Sequence, residues 1–399
     1  MRLALFVIVV LIFMSYMDPT IASAQQAQRL FSVADEIGLR LFGTSHGAGP
    51  QMRFSPDGKY VVVWSERGRL DLNCVEDSLR FYRSSDIESF LNYPEGTQQL
   101  SPVWDLTRSS YKEGSIIDDW RWLSDSSGVA FLERTGSNSQ QLVLANLLEK
   151  TLEPLTSAAE AVKRFDIRSR QHYVYTTADT SDREKVRQTD IRLPAVVGTG
   201  RSSFELLFPN DSVTEQVSSH RVKLWAVIDG NRFEVKSEDV ALEFVDSDLA
   251  LSPDGLSLVT QLPVAEVSPT WEKLYPPPYP SYDAAIRGGH KDLDLDTAAV
   301  HQYVRISLRT GSVQALTEAP TSNDVGWFTL ATPSWSSDGQ AILLPGTFIK
   351  SNDELPSRPG IAVIDLSSDT RSFVEMLKSV DYGKTSYDQA FEKGYHFIT

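Results

Sequence analysis

Gly43-Thr44-Ser45-His46-Gly47 carries the letters of a nucleophile elbow, Gly-x-Ser-x-Gly, and the chemistry it would do is acyl transfer. An elbow works because its serine sits on a strained strand-to-helix turn with Oγ exposed. Here Ala48-Gly49-Pro50 follows, which opens no helix of the needed length, and too little chain precedes Ser45 to build a supporting sheet. The segment reads as a glycine-rich loop leading into the first strand, and Ser45→Ala is expected to leave any activity unchanged. Asp292-Leu293-Asp294-Leu295-Asp296 matches the start of a calcium loop, where alternate side chains supply oxygens. Its sixth and twelfth positions are Thr297 and Tyr303 rather than Gly and Glu, so it reads as a solvated acidic turn. The six histidines, at 46, 172, 220, 290, 301 and 396, show no zinc spacing, and no phosphate-binding loop occurs, so no metal or cofactor is expected.

Recognition residues are easier to find than catalytic ones. Segment 268–299 contains Tyr275-Pro276-Pro277-Pro278-Tyr279-Pro280, which cannot serve as an inner strand and reads as an excursion loop. Long loops on a rigid scaffold often carry function. Within this one Trp271, Tyr275, Tyr279, Arg287 and His290 offer stacking and hydrogen bonding and are the candidate ligand contacts. Trp120-Arg121-Trp122 could line a recognition surface, since such residues dominate binding hot spots, but packing between neighbouring units is the expected role.

Turn-strand units must position these residues. Phe54-Ser55-Pro56-Asp57-Gly58 leads into Val61-Val62-Val63-Trp64, and three more copies begin at Trp122, Leu251 and Trp335. In each, Ser and Asp side chains bond the turn backbone while Pro and Gly supply its fixed and positive φ angles. Two weaker copies, Phe165 to Thr177 and Ser218 to Val227, share the phase without the glycine. Strand–turn–strand segments at 142–156, 303–317 and 361–370 look like outer hairpins. The shorter spacings bracket the roughly 40–45 residues of one blade of a propeller. The fold class is therefore all-β, a β-propeller of four-stranded blades with six or more recognisable units. Short helices are expected within 32–42 and 388–393.

The chain has 399 residues, a net charge of −15 and one cysteine, Cys74. A disulfide-stapled mini-protein is excluded, and the acidic balance excludes non-specific binding to nucleic acid or anionic lipid. Met1-Arg2, the apolar run Leu3 to Met17 and Ala22-Ser23-Ala24 read as a signal peptide over 1–24, too short to span a bilayer. The mature protein is expected to be exported, periplasmic or secreted, without stable membrane insertion. The expected layout is a lead-in over 25–50, a propeller over 51–374 and a tail over 375–399.

The Ser-Pro-Asp-Gly units resemble those of TolB-like and prolyl oligopeptidase propellers. The wider chain, including Val33 to Gly38, Ser65 to Asn73 and Asp118-Asp119-Trp120-Arg121-Trp122, is similar to exported prolyl oligopeptidase-family proteins, lasso-peptide isopeptidases among them. That resemblance implies a propeller of seven or eight blades capping an α/β-hydrolase domain that carries Ser, Asp and His. Residues 375–399 are too few for such a domain, so this chain is expected to be the non-catalytic propeller part of a peptidase that gates or recognises peptide substrates. The alternative is a TolB-like envelope module binding a protein or peptide. Gly394 to Thr399 reads as a strand, which either closes the ring against the first blade or opens a blade lost to truncation; the resemblance favours truncation.

Overall fold

The computed structural model describes residues 30–42, 52–92, 100–112, 114–136, 139–178, 222–237, 240–241, 247–264, 267–274, 300–325, 327, 332–350, 356 and 358–376. The described strands form five four-stranded antiparallel sheets, each a meander in chain order. The first holds β1 (Met52–Phe54), β2 (Tyr60–Arg69), β3 (Cys74–Arg83) and β4 (Trp104–Ser110), and the second β5 (Ile117–Trp122), β6 (Gly128–Arg134), β7 (Gln140–Asn146) and β8 (Thr151–Pro154). The third holds β9 (Val162–Ser169), β10 (His172–Ala178), β11 (Val222–Ile228) and β12 (Asn231–Glu234). A short hairpin of β13 (Lys236–Ser237) and β14 (Val240–Ala241) follows. The fourth sheet holds β15 (Ala250–Leu251), β16 (Ser257–Pro263), β17 (His301–Ser307) and β18 (Val313–Ala315), and the fifth β19 (Ser334–Trp335), β20 (Ala341–Thr347), β21 (Gly360–Asp365) and β22 (Thr370–Met376).

Each sheet is apolar on both faces because its middle strands are runs of β-branched and aromatic residues, and alternate residues turn to opposite neighbours. Val129 and Phe131 pack with Val62, Trp64, Leu79 and Phe81 of the first sheet. Ala130 and Leu132, one position out of phase, pack with Phe165, Ile167 and Tyr175 of the third. The third and fourth sheets share Val174, Leu224, Leu258 and Ile306, and the fourth and fifth share Val259, Tyr303, Ile342 and Ile364. Consecutive four-stranded sheets packed face to face through shared cores are the blades of a β-propeller.

The repeated turn sets the register between a blade's first two strands. Ser55 Oγ donates to Asp57 Oδ1 at 2.7 Å and accepts the Tyr60 N–H at 2.9 Å, with Gly58 at φ 70°. Ser336 repeats this with Asp338 at 2.6 Å and the Ala341 N–H at 2.8 Å. In the second blade Leu123 takes the serine's place and Ser126, at φ 63°, takes the glycine's. Gly128 serves differently there: a Cβ on it would lie 2.3 Å from the Ala145 carbonyl, so it permits close strand approach. The turns touch in succession, the Asp57 N–H donating to Ser126 Oγ at 3.1 Å and the Ser124 N–H to the Arg168 carbonyl at 2.9 Å.

One expectation changes. The weak copies at 165–177 and 218–227 are not separate units: β10 and β11 pair directly, Tyr175 opposite Trp225, so both lie in the third blade with 179–221 inserted between them. The helix expected within 32–42 is α1 (Val33–Gly38), started by a Ser32–Asp35 capping box, after which the chain extends to bridge Leu41 to Glu66. A second helix, α2 (Ser84–Asn92), follows β3 without having been foreseen. Segments 1–24, 43–51, 179–221, 275–299 and 377–399 lie outside the described residues, and with them the signal peptide, the Ser45 loop, the Asp292 turn, the 388–393 helix and the closing strand.

Candidate functional site

The first strand of each blade lies innermost, and charged residues on β1, β5 and β9 meet there. Arg53 on β1 places its guanidinium carbon 4.7 Å from the ring centroid of Trp120 and donates through Nη1 to the Trp120 carbonyl at 2.6 Å. Trp122 Nε1 returns a bond to the Arg53 carbonyl at 3.2 Å. Just ahead of Trp120 β5 carries a bulge, with the register shifting between Asp118 and Trp120, and Asp119 sits at φ 31°. Bulges re-aim side chains. This one sends the Asp119 carboxylate to Arg121, 3.3 Å away.

Arg121 ties three blades together. Its Nη1 lies 3.3 Å from Asp166 on β9 and 3.5 Å from the Leu249 carbonyl ahead of β15. Burial alone would lower its pKa, but Asp119 and Asp166 outweigh that and hold it above the usual value. Asp166 is buried at 4% exposure yet fully engaged, Oδ2 accepting the Leu251 N–H at 2.7 Å and Oδ1 the Ile167 N–H at 2.9 Å. Arg168 lies 3.5 Å from the same carboxylate and donates to the carbonyls of Leu251 and Ser252. Arg53 differs in that no carboxylate among the described residues lies within ion-pair reach of it, while its Nε, like that of Arg121, is buried without a partner. Burial and the neighbouring Arg121 pull its pKa down against Asp119 and Asp166.

A second polar knot ties the fourth blade to the connection leading into the fifth, which itself bridges Thr321 to Thr347 of β20. Asp324 Oδ1 lies 3.1 Å from His301 Nδ1, and Oδ2 accepts the His301 N–H at 2.8 Å and the Thr321 hydroxyl at 2.6 Å. An Asp–His pair orients an imidazole as a base, yet acyl transfer also needs a nucleophile in hydrogen-bond reach. His301 Nε2, Ser322 Oγ and Thr347 Oγ1 are each buried with no partner, and the pair pins the connection after β18 to β17. Among the described residues no cluster of three His, Cys, Asp or Glu could hold a metal.

Of the candidate ligand contacts, Trp271 lies in a 3₁₀ turn (Pro269–Leu274), buried with Leu274, Trp327 and Phe348, while Tyr275, Tyr279, Arg287 and His290 lie outside the described residues. Trp120 and Trp122 pack between the first two blades as the sequence suggests. Sequence reasoning passed over Arg53, Asp166 and Arg168. The one available signal was that Arg53 and Arg121 stand at the same place in the repeat, two residues before Ser55 and Leu123. The connections from second to third strands all leave the face opposite the repeated turns, and the three longest are 179–221, 264–300 and 348–359.

These features define a β-propeller with four-stranded blades and a charged inner wall. No protein-family model and no curated relative matches the sequence. Solved structures similar to the chain include acylaminoacyl peptidase of Pyrococcus horikoshii, at 12% identity and TM-score 0.42, covering 81% of this chain and 38% of that one. A putative TolB of Agrobacterium tumefaciens is 12% identical at TM-score 0.38, covering 82% and 81%. The propeller domain of the trilobed protease of Pyrococcus furiosus is 11% identical at TM-score 0.39, covering 84% and 70%. The chain thus spans well under half the length of the acylaminoacyl peptidase.

Proposed function

We propose that this propeller recognises peptides or extended protein segments, as the non-catalytic, gating part of a prolyl oligopeptidase-like peptidase. The observation that carries the reading is that the three long connections all start and end on one face of a scaffold whose inner strands are charged. Long loops vary without disturbing the blade cores and so can be fitted to a ligand, while Arg121 and Asp166 fix the wall behind them. The Ser-Pro-Asp-Gly resemblance noted above supports the peptidase connection, and the reading of Met1 to Ala24 as a signal peptide places the activity outside the cytoplasm. No described helix is long and apolar enough to cross a membrane. The acidic net charge favours peptides that are neutral or basic overall.

The test is retention of a casein tryptic digest on the immobilised full chain, with serum albumin, also acidic, as the control surface. A reproducible subset of peptides, retained saturably and displaced by the soluble chain, is the expected result. Retention no greater than on albumin would overturn the reading.

A further inference from the structure

Each blade turns one face of its innermost strand toward the blade before it. In the second blade that face carries Trp120 and Trp122, packed with the core of the first. In the third it carries Phe165 and Ile167, 0% and 1% exposed, and in the fourth Leu249 and Leu251, 2% and 0% exposed. The same positions in the first blade, two residues apart and ending just before Ser55, are Met52 and Phe54. No described sheet precedes this one, and they are 53% and 60% exposed. Arg53 between them turns the other way, to Trp120. Across the sheet Phe54 stands opposite Val61, and Val61 opposite Tyr82, so the exposed pair edges a continuous apolar row.

Scattered exposed apolar side chains need no explanation. These two differ because they stand where the other blades bury their equivalents, and what buries the equivalents tells what fits. In each case it is an extended strand of the preceding blade, lying alongside. Met52 and Phe54 are about 7 Å apart along β1, the spacing of alternate side chains on an extended chain. Phe54 also stands where Trp122 and Trp335 donate an indole N–H to the preceding blade, and phenylalanine has no such donor, so its contact is apolar. β1 begins at the face of the long connections and ends at the repeated turn.

We propose that Met52 and Phe54 seat an extended peptide segment with apolar side chains at alternate positions, in the place that a preceding blade's strand fills elsewhere. This deepens the peptide-recognition reading and rests on it. The charge of −15 favours neutral or basic residues at the intervening positions.

The experiment uses the immobilised full chain and two acetylated, amidated octapeptide pools of one composition, half Leu, Val and Phe and half Ser, Thr and Lys. The apolar residues alternate in one pool and stand together in the other. The wild-type chain should retain the alternating pool about tenfold over the other. Phe54→Ser should abolish that preference and Met52→Ser should weaken it severalfold, both with melting temperatures unchanged because the two side chains are largely exposed. Equal retention of the two pools overturns the site and leaves peptide recognition standing, as does a preference undiminished in Phe54→Ser. A melting temperature lowered by about 5 °C or more in Phe54→Ser means that the chain itself covers the pair, and a dimer that dissociates in Phe54→Ser means that a second copy does. Either result overturns the proposal. Retention of neither pool while casein peptides are still held removes the site alone, and loss of both removes the peptide reading with it.

Discussion

Trp335 in the fifth blade donates its indole N–H to the carbonyl of Ala250 in the fourth, at 2.9 Å. The same bond recurs from Trp122 to the Arg53 carbonyl, at 3.2 Å, and in both cases the tryptophan stands immediately before its blade's first turn and the acceptor two residues before the preceding blade's serine or its equivalent. The turn repeat therefore carries an inter-blade strut as well as a local register. Phenylalanine at either position keeps the packing and deletes the donor. Trp335→Phe and Trp122→Phe should each lower unfolding free energy by about 1 kcal/mol, and the double variant should lose the sum because the struts share no partner. Urea titration checks this.

Two glycines at nearly the same φ separate backbone preference from steric need. Gly58, at 70°, has open space where a Cβ would go, whereas at Gly311, at 69°, a Cβ would lie 1.6 Å from the Lys236 carbonyl oxygen. Gly58→Ala should cost about 1 kcal/mol for the left-handed backbone alone. Gly311→Ala should cost about 3 kcal/mol or more, because β13 must move. Equal melting temperatures for the two variants would contradict the contact between the β17–β18 turn and β13.

Asp77 makes stability depend on pH. Its Oδ2 accepts the N–H groups of Ile116 and Ile117 at 2.7 and 2.8 Å, while Oδ1 is buried without a partner. Burial pushes the carboxyl up to about 6, against the pull of those two donors. A raised folded-state value means that the native state favours the neutral acid. This contribution is fully present below about pH 4 and is lost as pH rises through 6. Asp77→Asn keeps an acceptor and cannot ionise, so its stability relative to wild type should improve by about 2–3 kcal/mol between pH 4 and pH 7. Parallel stability curves for the two proteins would exclude the effect.

Arg121 is the ion-pair partner of Asp119 as well as of the buried Asp166. Removing one member of a buried pair strands the other charge. Arg121→Met should destabilise the chain by about 3 kcal/mol, measured by denaturant unfolding at pH 7. Adding Asp119→Asn should recover part of that loss. A loss below about 0.5 kcal/mol would mean the pair behaves as an exposed one.

The repeated turns were legible because their chemistry is local: Ser55, Asp57 and Gly58 satisfy one another within six residues, and so do Ser336, Asp338 and Gly339. The third blade was misread because its two middle strands are separated by 179–221, so that a single sheet displayed two turn-strand phases. Gly128 matched the repeat by letter while Ser126 held the positive φ, which only the backbone reveals. The inner-strand cluster was least legible. Arg53, Trp120 and Asp166 lie far apart in sequence and meet only because consecutive blades stack, and the aim of Asp119 depends on a one-residue bulge. The sequence did single out Trp120, Arg121 and Trp122, and they pack where two blade faces meet the inner wall.

Hydrogen–deuterium exchange of the full chain, with and without a saturating casein peptide selected by retention, tests the central claim most directly. Peptide recognition at the long-loop face predicts slowed exchange in 264–274, 300–303 and 348–350 and along β1 and β5, with the turns at 55–60, 252–257 and 336–341 unchanged. Protection confined to those turns, or no protection anywhere, would contradict it.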